Sequence, residues 1–318
     1  MNILEKFQTA IILIAVGIGL LLGHFTFFAQ NAGSFIMPFL LLMLYGLFLT
    51  IPLDQFKKAF SNIKFLGSST ILNFIWTPVL AWGLGAIFLA DHPALWIGFI
   101  MLMVTPCTDW YLMFTSIAKG NVSLSTSVLP INLIFQVLLL PVYLFIFAGT
   151  IQPVPLSTFI ESIVLVLVIP FTLAHLTRYL LRNKETFLNK KLVPFFSSVQ
   201  IIFLSLAITA MFASQGNYLI NNLDVIYILI IPILLYFVIN FIVAQTVGKA
   251  MKFSYEDTVS LSLTIIARNS PVALAIAVTA FPDQPLIALS LLIGPLIELP
   301  MLAIVSQKLL SLRGRTNK

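Results

Sequence analysis

Charge is what this sequence has least of. Lysine, arginine, aspartate and glutamate together make up 9% of 318 residues, against about 25% in an ordinary soluble domain. A soluble chain of this length needs a charged surface, and these residues do not supply one. Cysteine is nearly absent: Cys107 is the sole one, so no intramolecular disulfide exists. The three histidines are His24, His92 and His175, and none stands at a spacing that suits a Ser–His hydrolase. An intramembrane aspartyl protease needs two facing aspartates, whereas the deep apolar runs hold one aspartate and one glutamate. There is no polar stretch long enough for a soluble signalling domain, and nothing in the sequence calls for a cofactor.

What fills the space is apolar. Hydrophobic residues make up 60% of the chain and the mean hydropathy is +1.06. A helix needs about 20 apolar residues to span about 30 Å of hydrocarbon. Ten such runs are read, at 8–28, 33–52, 66–90, 93–118, 122–148, 158–181, 192–214, 224–248, 254–281 and 285–309. They are continuous rather than alternating, which excludes a transmembrane barrel. The first is too long, and too closely followed by the next, for a cleaved signal peptide.

The basic residues support this count. They lie at Lys6, at Lys57, Lys58 and Lys64, at Lys119, at Arg178, Arg182, Lys184, Lys190 and Lys191, at Lys249 and Lys252, and at Lys308, Arg313, Arg315 and Lys318. These are the two termini and every loop from an even run to an odd one. The other loops carry Asp91, His92, Asp224 and Asp283. Such alternation is the positive-inside pattern. It predicts a cytoplasmic membrane protein with both termini in the cytoplasm. The net charge of +6 follows from that bias and is no sign of nucleic-acid binding.

One basic residue is left over. Arg268 stands inside the ninth run, in TIIARNSPVALAIAV. An arginine at mid-bilayer costs roughly 2.5–3.5 kcal/mol on insertion scales and faces a cavity or a partner. The run also holds Asn269, Ser270 and Pro271, and the fourth run holds a similar break in VTPCTDW, with Cys107, Thr108 and Asp109. The Pro-containing link at 148–157 separates five runs from five. An odd number per half turns the halves upside down relative to each other, the inverted-repeat plan of many transporters. Paired breaks at corresponding positions point to a midplane binding site.

The expected fold is therefore an all-α integral membrane protein of ten transmembrane helices. It forms two inverted five-helix repeats, 1–150 and 151–318, with helices 4 and 9 broken and crossing at mid-membrane. The fifth runs match as well: VLPINLIFQ carries Asn132 and Gln136, and LIGPLIELP carries Glu298. Arg268 is expected to pair with Asp109 or Glu298. Substrate or ion binding is expected at Cys107, Thr108, Asp109, Asn132, Arg268, Asn269, Ser270 and Glu298. Cys107 is a candidate ligand for As(III) or Sb(III), since soft ions favour thiolates.

Several stretches carry a resemblance to a known family. They are LNFIWTPVLAW, the Cys107 helix with SIAKGN, LAITAMFASQG, IIPILLYFVINF, ALAIAV and IGPLIELP. The chain resembles the arsenite-efflux permeases of the bile acid:sodium symporter superfamily, whose usual pattern Asn73 and Pro78 match, and the resemblance adds Asn73 to the expected substrate- or ion-binding residues. The resemblance implies arsenite or antimonite efflux by alternating access, driven by proton entry, with Cys107 and Glu298 at the positions tied to arsenite transport. Two departures are visible. Thr105-Pro106 stands where these permeases have Ala-Arg, and Ser270-Pro271-Val272-Ala273 lies where they have Asn-Asn-Phe-Glu. The sodium-coupled members of the superfamily carry sodium ligands where this chain has Thr264, Arg268 and Asn269, and a guanidinium repels sodium. The alternative is an ion-coupled transporter of a small organic anion, with Arg268 as the carboxylate clamp.

Overall fold

The computed structural model describes residues 8–50, 60–107, 110–149, 156–220 and 223–316. Thr108, Asp109, most of the link at 148–157, and the basic residues Lys6, Lys57, Lys58 and Lys318 lie outside them.

The described chain is helical. In order come α1 (Gln8–Gly23), α2 (Gly33–Thr50), α3 (Phe60–Phe88), α4 (Pro93–Met103), α5 (Trp110–Ile117) and α6 (Val122–Tyr143). They are followed by α7 (Ile160–Leu180), α8 (Val193–Ile220), α9 (Leu223–Ala250), α10 (Tyr255–Ile266), α11 (Ser270–Ala280) and α12 (Pro285–Thr316). Seven helical stretches among the described residues are long and apolar enough to cross a membrane. Shorter apolar helices cover Ala10–Gly23, Pro93–Met103 and Ser270–Ala280. Two of these belong to the interrupted runs. The other ends sooner than its run because the chain turns at His24 and Phe25, whose N–H groups bond back to the carbonyls of Leu21 and Leu22.

By contacts the chain divides into two compact units, each drawing on both halves of the sequence. The first comprises Met1–Ile51, Pro155–Asp224 and Leu274–Leu292. Within it α8 packs along α1 and α2. Gly19 sets the approach of α1 to α8: a Cβ there would stand 2.6 Å from the Thr209 carbonyl oxygen. With little hydrophobic drive between helices in lipid, close backbone packing at small residues supplies the association. Thr209 Oγ1 also donates to the Ala15 carbonyl at 3.1 Å. Tyr45 and Thr177 share a hydroxyl–hydroxyl bond of 2.8 Å, and Arg178 Nε donates to the Leu49 carbonyl at 3.0 Å.

The second unit comprises Pro52–Val154, Val225–Ala273 and Ile293–Lys318. It holds α3 to α6, α9, α10 and most of α12, and with them both chain breaks. One end of it is tied by short polar contacts. The Asn121 side chain caps α6 through the Leu124 N–H and donates to Asp257 Oδ1 at 2.9 Å. Ser254 caps α10 through the Asp257 N–H, and Tyr255 donates to the Ala118 carbonyl at 3.0 Å. A salt bridge among the described residues joins Arg313 to Glu256 at 3.5 Å; both side chains are more than one-third exposed, so it contributes little. Lys119 and Lys252 each end a helix in the left-handed region, with φ of 56°.

Candidate functional site

The site grows out of the two breaks. At the first, α4 ends because Thr105 precedes a proline, and a residue before proline is driven out of the helical region. The Thr105 hydroxyl bonds back to the carbonyls of Met101 and Leu102 at 3.1 and 3.0 Å. At the second, α10 ends at Ile266 and Ala267 is extended, with φ −72° and ψ 138°. Two freed backbone segments in an apolar protein need partners, and they find each other. The Cys107 N–H donates to the Ala267 carbonyl at 3.1 Å, and the Asn269 N–H donates to the Thr105 carbonyl at 2.7 Å. Pro106 and Arg268 thus face each other in a single antiparallel bridge.

Pro271 stands in the first turn of α11. There its missing N–H would have had no intrahelical partner anyway. Asn269 caps the same turn: its Oδ1 accepts from the Val272 N–H at 3.4 Å. The ninth run is therefore two helices with an ordered start, rather than one kinked helix.

Arg268 is 2% exposed and Glu298 1%. They meet through the main chain: the Arg268 backbone N–H donates to Glu298 Oε1 at 2.7 Å. The carboxylate thus takes the main-chain amide of Arg268. The extended backbone turns the amide toward α12 and sends the side chain toward α3 and α9. The guanidinium Nη2 donates to Asn73 Oδ1 at 3.2 Å and to the Ile265 carbonyl. The guanidinium carbon stands 5.4 Å from the centre of the Tyr236 ring, a cation–π distance. Nε and Nη1 are buried without a hydrogen-bond partner among the described residues. Asp109, the other expected partner, lies outside the described residues.

Asn73 owes its position to a π-turn, Leu72–Trp76, within α3. Such turns insert an extra residue into a helix and recur at functional sites. Thr77 Oγ1 takes up the Asn73 carbonyl at 2.6 Å, which holds the turn. Tyr236 is held by its hydroxyl on the Met103 carbonyl at 3.3 Å. One turn further along α9, Asn240 accepts from Trp76 Nε1 at 3.1 Å.

Of the sequence-predicted residues, Asn73, Cys107, Arg268, Asn269 and Glu298 are brought together by these bonds. Cys107 is a buried thiol outside any disulfide, 3% exposed. Ser270 is buried in the first turn of α11, and Asn132 is buried on α6. Thr108 lies outside the described residues. Sequence reasoning missed Tyr236; the signal was its spacing of four from Asn240 within an apolar helix, which puts both on one face. Among the described residues, no group of three or more His, Cys, Asp or Glu side chains is placed to hold a metal ion.

Residues 37–222, more than half of the chain, match the Sodium Bile acid symporter family. The arsenical-resistance protein Acr3 of Corynebacterium glutamicum is 26% identical over 324 residues, covering 95% of this chain and 87% of that protein. The arsenical-resistance protein Acr3 of Alkaliphilus metalliredigens is 24% identical over 278 residues, covering 82% of this chain and 77% of its own. A sodium-dependent transporter of Bacillus subtilis, YocS, is 24% identical over 249 residues, covering 78% and 75%.

Proposed function

This chain belongs to the sodium bile acid symporter family, a family of multi-pass membrane transporters, and from that premise we propose that it exports arsenite and antimonite across the cytoplasmic membrane. One observation carries the reading. The thiol-bearing residue and the buried carboxylate meet on consecutive residues of one extended segment: Cys107 bonds to Ala267, and Glu298 bonds to Arg268. Relatives that cover most of the chain are arsenical-resistance proteins.

In this mechanism neutral As(OH)3 enters from the cytoplasmic side. The Cys107 thiol exchanges with one hydroxyl, giving Cys107–S–As(OH)2 and water; the thiol proton leaves with the departing hydroxyl. Hydrolysis on the outer side reverses the exchange. A proton carried inward on Glu298, with Asp109 as the other acid marked by the sequence, drives the return. A carboxylate in a low-dielectric cavity suits such a relay. The Arg268 guanidinium balances that carboxylate. It also fills its surroundings with fixed positive charge, which argues against a sodium ion there and for proton coupling.

The proposed architecture is ten crossings in two inverted five-helix repeats, with both termini in the cytoplasm. The compact units support it: the first takes runs one and two from the first half and six and seven from the second, and the other takes three to five and eight. Runs nine and ten are shared between the units, through Leu274–Leu292.

A second reading has its own observation. Arg268 Nε and Nη1 are buried without acceptors among the described residues, which suits a small organic carboxylate as substrate. Arsenite accumulation in cells stripped of their own arsenic efflux decides between the two. Lower accumulation than in vector controls, restored by Cys107→Ala and not by an excess of small carboxylates, supports arsenite. Accumulation equal to vector at good membrane expression rejects it and directs the screen to carboxylates.

A further inference from the structure

Helix α6 carries two carboxamides one turn apart, Asn132 and Gln136. Both are at most 1% exposed, and none of their four side-chain polar atoms has a hydrogen-bond partner among the described residues. A buried polar atom left unmet costs about 1–3 kcal/mol, and native proteins leave few of them. On α6 the Ser125 hydroxyl is the other buried side-chain group without a partner among the described residues. Elsewhere on α6, Thr126 and Ser127 bond back to the carbonyls of Val122 and Leu124 at 2.8 and 2.7 Å. Tyr143 donates to the Phe74 carbonyl.

Spacing of four puts Asn132 and Gln136 on one face of α6. The same stretch of α6 packs on the π-turn that seats Arg268: the Phe135 ring lies 5.4 Å from that of Phe74, the residue after Asn73. A carboxamide is uncharged and offers both N–H donors and a carbonyl acceptor. Two of them suit a small neutral solute whose hydroxyl groups donate and accept. A carboxylate, which only accepts, would leave Asn132 Oδ1 and Gln136 Oε1 unmet.

We propose that Asn132 and Gln136 form a hydroxyl-binding subsite for a small neutral hydroxylated solute, separate from the thiol at Cys107. In its arsenite form this rests on the function proposed above: the carboxamides hold the hydroxyls of As(OH)3 before the arsenic passes to Cys107. Their contribution is to binding, not to the thiol exchange.

Two measurements test it. Because Cys107 is the only native cysteine, Cys107→Ala gives a background in which single cysteines report exposure to water. Cysteines placed at Asn132, Gln136 and, as an apolar control, Leu133 are reacted in membrane vesicles with a charged methanethiosulfonate. Labelling at 132 and 136 much faster than at 133 supports the subsite; equal rates overturn it, whatever arsenite does. In the native-cysteine protein, Asn132→Leu and Gln136→Leu are expected to raise the KM for arsenite about tenfold each, the loss of one net hydrogen bond to the solute, with kcat unchanged. A fall in kcat at constant KM would show a packing role and overturn the proposal. If wild type moves no arsenite while 132 and 136 label selectively, the arsenite reading fails and the subsite for a neutral solute stands.

Discussion

At the scale of single residues, the site rests on how Arg268 is held. A guanidinium has five donor hydrogens in a planar fork. Here Nη2 is satisfied by Asn73 and Ile265, and Tyr236 lies under the plane. Tyr236→Phe keeps the ring and removes the hydroxyl from the Met103 carbonyl, and should cost about 1 kcal/mol. Tyr236→Leu also removes the cation–π contact and should cost about 1–2 kcal/mol more. Thermal unfolding of the detergent-solubilised variants checks the order. Arg268→Lys keeps the charge but cannot reproduce the fork; transport should fall at least tenfold with membrane expression preserved, and full activity would show that charge alone matters. The charged members of this site were legible because so few charges exist: an arginine and a glutamate deep in apolar runs stand out. Tyr236 and the π-turn at Asn73 were not legible, because an aromatic or an asparagine in an apolar helix is ordinary until its neighbours are known. That Glu298 takes the main-chain amide of Arg268 depends on the backbone path after Ile266, which no side-chain pattern encodes.

At the scale of elements, the two prolines of the breaks do different things. Pro106 follows a helix it ends, and Pro271 opens a helix it tolerates. Pro271→Ala should therefore change stability by less than about 0.5 kcal/mol, whereas Asn269→Ala removes a cap and should cost about 1 kcal/mol. The reverse order, measured by thermal unfolding, would mean that α11 does not start where its cap stands. Both breaks were visible in the sequence as polar interruptions at matching places. Their mutual hydrogen bonding through Cys107, Ala267, Thr105 and Asn269 was not, since the donors and acceptors are main-chain atoms common to every residue. At the helix ends, Lys119 and Lys252 sit at φ 56°. A left-handed residue with a side chain costs about 1–2 kcal/mol, offset for glycine by about 0.5–1 kcal/mol of chain entropy. Lys119→Gly should be neutral to stabilising by about 1 kcal/mol. Gly19→Leu should separate α1 from α8, because a Cβ already meets the Thr209 carbonyl oxygen; loss of folded protein on size-exclusion chromatography is the expected readout.

At the scale of the molecule, few charges and long apolar runs made a helical membrane protein legible at once, and the placement of lysine and arginine gave an orientation. Reporter fusions at either terminus should show activity only for a cytoplasmic reporter; an external signal would contradict the topology. The division into units was less legible, because each unit joins segments far apart in the chain. Arg268 beside Glu298 further predicts transport indifferent to sodium and sensitive to the proton gradient.

Arsenite uptake into everted membrane vesicles, with an imposed pH gradient and with sodium present or absent, addresses the central claim most directly. Uptake that needs an acid interior, ignores sodium and disappears in Cys107→Ala is the predicted result. Uptake that survives Cys107→Ala, or no uptake by the native protein under any gradient, would contradict it.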